Sequence, residues 1–107
     1  MTKTCSSTPT KPARTPGPTA QVIEYLIAKG IVGWGSQCIG TDAGQAGGMT
    51  PPFPAHNQLH ANNRFGLASL ANLDKLPPKG AILIAAPLKI QQGTGSPIRA
   101  LALVPQG

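Results

Sequence analysis

A segment rich in glycine and proline, residues 33–54, limits what this chain can fold into. It holds six glycines and three prolines, which interrupt regular structure because glycine is flexible and proline lacks a backbone N–H. Irregular segments longer than about 15 residues inside a compact domain are usually functional or disordered. We interpret this one as a functional loop, with disorder as the alternative, because it carries Asp42 and is followed by a helix-like segment, residues 56–63.

The residues before this loop predict a helix and then a strand. Thr19 is a typical N-cap, Lys29 falls in the last turn, and Gly30 provides the usual C-terminal stop. A strand is predicted over residues 31–34. The helix has one apolar stripe, made of Val22, Ile23, Leu26 and Ile27.

The residues after the loop predict mainly strands, at 66–73, 81–90 and 98–105. The run 81–88 is continuously apolar, which is typical of a strand buried on both faces, and Pro87 places that strand at an edge or a bulge. Residues 93–97 are interpreted as a hairpin turn. The fold class is therefore α/β or α+β, with strands dominating the C-terminal half.

The net charge of +6 comes from nine Lys/Arg against three Asp/Glu. Residues 1–18 are rich in Ser, Thr and Pro and hold three of the basic residues, and we predict a disordered or extended tail there. The remaining six basic residues are scattered, which is typical of a solvated surface and predicts no nucleic-acid binding. No apolar run approaches the roughly 20 residues of a membrane span. With two cysteines and no apolar leader, a cytoplasmic setting is expected.

Two histidines are the main candidates for chemistry. His56 and His60 have the i, i+4 spacing that places both rings on one helix face, as two metal ligands require. A metal needs a third or fourth ligand, and Asp42 is better placed for this than Asp74, whose surroundings indicate a local turn. The alternative is an ordinary surface pair or a hydrogen-bonded buried pair. A Cys38–His56 nucleophile is a further, weaker alternative.

Several stretches together resemble the C-terminal part of the cyclase family, which includes bacterial kynurenine formamidases and isatin hydrolases. The likeness runs in order over roughly residues 17–105. The stretches are GWGSQCIGTDAG (33–44), PPFPAH (51–56), ANLDKLPP (71–78), APLKI (86–90) and GTGSP (93–97).

The resemblance implies a metal-dependent hydrolase of amide bonds, of the arylformamidase type that acts in tryptophan catabolism or of the cyclic-amide type. It implies a barrel-like β core with outer helices, a zinc or manganese ion that activates water, a small amide substrate, and assembly into dimers or tetramers.

The resemblance also assigns roles to particular residues. The family's His-x-Gly-Thr-His-x-Asp-x-Pro metal motif is absent from this chain. A later family histidine, after Phe-Pro-x, corresponds to His56, which is thus expected to be a metal ligand or an acid/base. The family's glutamate 12 residues further on is replaced by Ala68. Phe53, Pro54 and Trp34 are expected to contact the substrate, with core packing as the alternative for the two aromatic rings.

We therefore expect residues 19–107 to be a partial cyclase-family domain whose metal site is incomplete alone. It would need the N-terminal half of such a protein or act within a homo-oligomer. The alternative is a catalytically inert piece that acts in interaction or assembly. In both cases apolar strand faces such as 81–88 should be left uncovered, which favours pairing with another chain or aggregation.

Overall fold

The computed structural model describes residues 14–106 of the chain. It divides into two compact units, Met1–Ala71 and Asn72–Gly107, and each is described by itself. Most of the predicted N-terminal tail, residues 1–13, lies outside the described residues. Residues 14–18 contain no helix or strand, but Thr15 and Pro18 are buried.

The first unit begins with helix α1, Ala20–Ala28. The predicted N-cap is confirmed, because the Oγ1 atom of Thr19 accepts a hydrogen bond from the backbone N–H of Val22 at 3.3 Å. Of the apolar stripe, Ile23 is completely buried and Ile27 packs against the same core, whereas Val22 is 43% exposed. The helix is therefore amphipathic, as its sequence predicts.

The predicted stop at Gly30 is also confirmed. Gly30 has a φ of +78°, which a residue with a side chain adopts only with strain. Its N–H donates to the carbonyl of Ile27 at 2.9 Å, and the N–H of Ile31 donates to the carbonyl of Leu26 at 3.3 Å. This pair of bonds is the Schellman motif, which satisfies the last free carbonyls of the helix.

Two short parallel strands follow, β1 (Gly33–Gly35) and β2 (Phe65–Leu67), with Trp34 opposite Gly66. The predicted strands 31–34 and 66–73 exist but have the wrong bounds. β1 starts later because Ile31 still belongs to the helix stop. β2 ends early because Ser69 has a φ of +56°, which a strand cannot continue through.

The loop between them leads to a single π-helical turn, Ala55–Leu59, flanked by helical residues at 54 and 60–61. The predicted helix-like segment 56–63 is thus confirmed, with an earlier start and end. This turn packs on helix α1, and Ile23, Ala55 and Leu59 form a fully buried cluster between them. A 3-10 turn, Ala46–Gly48, is the regular structure within the loop.

The second unit contains strands β3 (Ile82–Ile84) and β4 (Leu101–Leu103), which pair antiparallel. They are much shorter than predicted, and residues 85–100 connect them, so the predicted hairpin turn at 93–97 lies within a long connection between two antiparallel strands. A 3-10 turn, Leu73–Lys75, precedes them.

The prediction that the apolar run 81–88 is buried on both faces is wrong. Ile82, Leu83 and Ile84 are 63%, 48% and 42% exposed, because the described residues of the second unit form only a two-stranded sheet, with no further layer of that unit to cover these side chains. The expectation that this face is uncovered is confirmed.

Taken together, the described residues form a mixed helix-and-strand fold, which confirms the predicted class. The four strands belong to two separate two-stranded sheets, and residues 14–106 close no barrel. Among the helices of that part of the chain, none has the length and apolar character needed to cross a membrane.

Candidate active site

A buried carboxylate, that of Asp42, joins the loop to the π-helical turn. Its side chain is only 3% exposed. Oδ1 accepts from the backbone N–H of Ala55 at 2.7 Å, and Oδ2 accepts from the backbone N–H of His56 at 2.9 Å. Oδ2 also lies 2.6 Å from Nδ1 of the His56 ring. Three donors therefore compensate the desolvation of a buried charge, which would otherwise be costly.

His56 lies at the surface end of this arrangement, with a side chain that is 54% exposed. An ionised carboxylate only accepts hydrogen bonds, so the Nδ1 atom of the ring must be the donor. In a neutral ring the lone pair is then on Nε2, and none of the residues 14–106 hydrogen-bonds that atom. Thr41 Oγ1 is 3.4 Å from Nδ1, a long contact beside the shorter one. A histidine held in this way can bind a metal or accept a proton through Nε2.

The loop that carries Asp42 is supported from behind by the residues just before helix α1. The carbonyl of Thr15 accepts from the N–H of Gly44 at 2.9 Å. Gly17 lies so close that a Cβ added to it would be 2.1 Å from the Ala43 nitrogen and 2.6 Å from the Asp42 carbonyl carbon. Glycine is therefore required at position 17 by close backbone approach.

The predicted histidine pair does share one face. The rings of His56 and His60 have centroids 5.8 Å apart and meet edge to face at 81°. His60 donates from Nδ1 to the carbonyl of Arg64 at 3.0 Å. Within residues 14–106, however, no three His, Cys, Asp or Glu side chains are grouped to hold a metal ion. Among these residues, His56 can supply one ligand to a metal ion, but they do not form a complete metal site.

The three predicted substrate contacts lie in different environments. Trp34 packs against the core of the first unit, and its buried Nε1 has no partner in the described chain. Pro54 is completely buried. Phe53 is 47% exposed, has a φ of +48°, and places its ring beside Gly47. Ala68, at the position of the family's glutamate, is exposed just after β2. Contact of these residues with a substrate stays a prediction.

How the site is held together does not follow from the sequence patterns. They favour Asp42 over Asp74 as the better-placed acid but do not predict its bond to His56. They also place Thr15 and Gly17 in the tail, whereas both residues support the loop that carries Asp42. The available signals were an acid within Gly-Thr-Asp-Ala-Gly, and a lone glycine between two prolines directly before the helix. The predicted turn at Asp74 is present as a 3-10 turn, without a side-chain hydrogen bond of Asp74 among the described residues.

Similar proteins are found when the sequence and the structure of the chain are compared with those of known proteins. No family model matches the chain. It is 84% identical over 91 residues to an isatin hydrolase of Roseibium aggregatum, covering 85% of this chain and 35% of that protein.

Solved structures of isatin hydrolases also match the chain. One, bound to the product analogue thioisatinate, is 84% identical with a TM-score of 0.83, over 85% of this chain and 35% of the other. Isatin hydrolase A from Labrenzia aggregata, bound to benzyl benzoate, is 57% identical with a TM-score of 0.82, over 83% and 35% respectively.

The chain thus spans about a third of the length of the relatives it matches. The resemblance to the C-terminal part of the cyclase family is confirmed, and the similarity lies with the isatin hydrolases of that family.

Proposed function

We propose that the chain forms the C-terminal part of a hydrolase that opens cyclic amides of the isatin type. The identity of 84% over 91 residues to an isatin hydrolase supports the reaction class. The observation that carries the proposal is the Asp42–His56 pair, in which the imidazole Nε2 points away from a buried carboxylate and has no hydrogen-bond partner among residues 14–106. The remaining part of the active site comes from outside the described residues, from the counterpart of the N-terminal two thirds of the relatives.

The proposed reaction is the hydrolysis of a ring amide. The oxygen of water bonds to the carbonyl carbon and the C–N bond breaks. One proton of the water goes to the nitrogen and the other is released to solvent, which leaves an amine and a carboxylate on one product. A divalent zinc or manganese ion, when bound, would supply Lewis-acid polarisation and a more acidic water. His56 contributes its Nε2 lone pair, either as one ligand or as the base that takes a proton from water.

Complementation tests this proposal. The chain is assayed for conversion of isatin to its ring-opened acid, alone and with the N-terminal two thirds of an isatin hydrolase, with and without Zn²⁺ or Mn²⁺. We expect turnover and bound metal with both pieces together, and loss of turnover in His56→Ala. His60→Ala is the matched control. It also removes an imidazole ring from this face, but the Nδ1 of His60 donates to a backbone carbonyl and not to a buried carboxylate. Absence of turnover in the mixture, or full turnover with His56→Ala, would overturn the proposal.

A second candidate function, that of an inert interaction piece, is favoured by the exposed strands of the second unit. The large apolar side chains of β3 and β4 are between 42% and 63% exposed. Each strand also has one edge unpaired within the described residues, and such edges pair readily with other strands. The proposed partner is either the counterpart of the N-terminal two thirds of the relatives or a second copy of this chain. Association in light scattering without any turnover in the complementation assay would favour this function over the first.

A further inference from the structure

We infer that Asp42 is a positioning residue that fixes His56 in one ring orientation and one tautomer, with the proton on Nδ1 and the lone pair on Nε2. The use made of that lone pair rests on the proposed function, whereas the tautomer follows from the contacts of these two residues.

The hydrogen bonds of Asp42 allow the ring of His56 only one arrangement. Oδ2 accepts both from the backbone N–H of His56 and from its Nδ1, at 2.9 Å and 2.6 Å. Because one oxygen holds the backbone and the ring of the same residue, rotation of the ring about its side-chain bonds would break the shorter contact. A carboxylate has no proton to donate, so the opposite tautomer would place two lone pairs against each other.

The position of the carboxylate is in turn determined by the chain on both sides of it. Ala55, a completely buried residue, donates to Oδ1 at 2.7 Å. On the other side, Gly17 lies against the peptide between Asp42 and Ala43. The carboxylate therefore has little freedom to follow the ring if the ring moves, and it acts as a fixed acceptor.

A purely structural role for Asp42, as a cap of the π-helical turn, is the alternative. A cap needs only the two backbone N–H groups of Ala55 and His56. It would leave the tautomer of the ring to solvent, and free histidine in water favours the proton on Nε2. The two roles therefore differ in a quantity that can be measured without any enzyme assay.

The test is long-range ¹⁵N–¹H NMR of the histidine rings in the full chain, at a pH where the rings are neutral. We expect His56 to carry its proton on Nδ1. In Asp42→Asn the ratio of the two tautomers should shift toward the Nε2-protonated form by about tenfold or more, the factor expected from loss of a charge-assisted hydrogen bond. The His60 ring, which donates to a backbone carbonyl, is an internal control and should not change.

Two further variants separate positioning from general damage. Gly17→Ala, which displaces the backbone at Asp42, should shift the His56 ratio in the same direction. Thr41→Val removes only the 3.4 Å contact and should leave it unchanged. A wild-type His56 with the tautomer ratio of free histidine would overturn the inference even if Asp42→Asn does not fold. The expected tautomer with no turnover in the complementation assay would overturn the proposed function alone, and turnover with the opposite tautomer would overturn this inference alone.

Discussion

Replacing Asp42 by alanine should destabilise the first unit, by an amount that its three hydrogen bonds allow us to estimate. The buried N–H of Ala55 would lose its acceptor, which costs about 1–3 kcal/mol. The backbone N–H and the ring of His56 would also lose their charged acceptor, but both can hydrogen-bond water instead. Their loss therefore adds only about 1 kcal/mol to the cost. We expect a total of about 2–4 kcal/mol for Asp42→Ala and about half of that for Asp42→Asn, which keeps one acceptor oxygen.

The single tryptophan makes this measurement specific to the first unit. Trp34 packs against the Ile23, Ala55 and Leu59 core, so its fluorescence during urea unfolding reports the unit that contains Asp42. A loss of 2–4 kcal/mol corresponds to a fall in Tm of roughly 10 °C or more in a domain of this size. Glu24→Ala is the matched control, because Glu24 is an exposed carboxylate of the same unit whose one hydrogen bond is also exposed, and it should change stability by less than about 1 kcal/mol. Equal stabilities for Asp42→Ala and Glu24→Ala would refute the reasoning.

Three other outcomes follow from burial, backbone conformation and exposure. Leu59→Ala should cost about 2–5 kcal/mol by leaving a cavity in the core, whereas the exposed Leu103→Ala should cost far less; similar urea midpoints would contradict the assigned core. Gly30→Ala should cost about 1 kcal/mol because of its φ of +78°, and Gly48→Ala, where an added Cβ meets nothing and φ is not positive, should be neutral in the same thermal melts. Leu83→Lys should reduce self-association measured by light scattering without lowering stability, since Leu83 is 48% exposed; unchanged association would exclude this face as the contact.

The parts of the fold that depend on near neighbours in the sequence could be predicted. The N-cap at Thr19 and the stop at Gly30 involve bonds between residues only three to five positions apart, so their residue types are sufficient. The shared face of His56 and His60 is likewise a matter of helical spacing. These features need no knowledge of the rest of the chain.

The site itself depends on contacts that local patterns do not contain. The Asp42–His56 bond spans 14 positions, and it forms because an irregular loop takes one particular path. The ends of the strands depend on single left-handed residues such as Ser69, which are not glycine and give no warning in the sequence. Burial of the run 81–88 depends on what covers it, and an apolar composition is compatible with both outcomes.

The close approach of Gly17 to the Asp42 loop has a practical consequence for where the folded domain begins. The composition of the chain places that boundary at Thr19, after the last residue of the Ser/Thr/Pro-rich stretch. Proteolysis or trimming up to that residue would remove the carbonyl of Thr15 and the backbone of Gly17, while leaving helix α1 and the core intact. A shortened chain of this kind would still form the core that Trp34 packs against, yet the ring of His56 would no longer be held in one orientation.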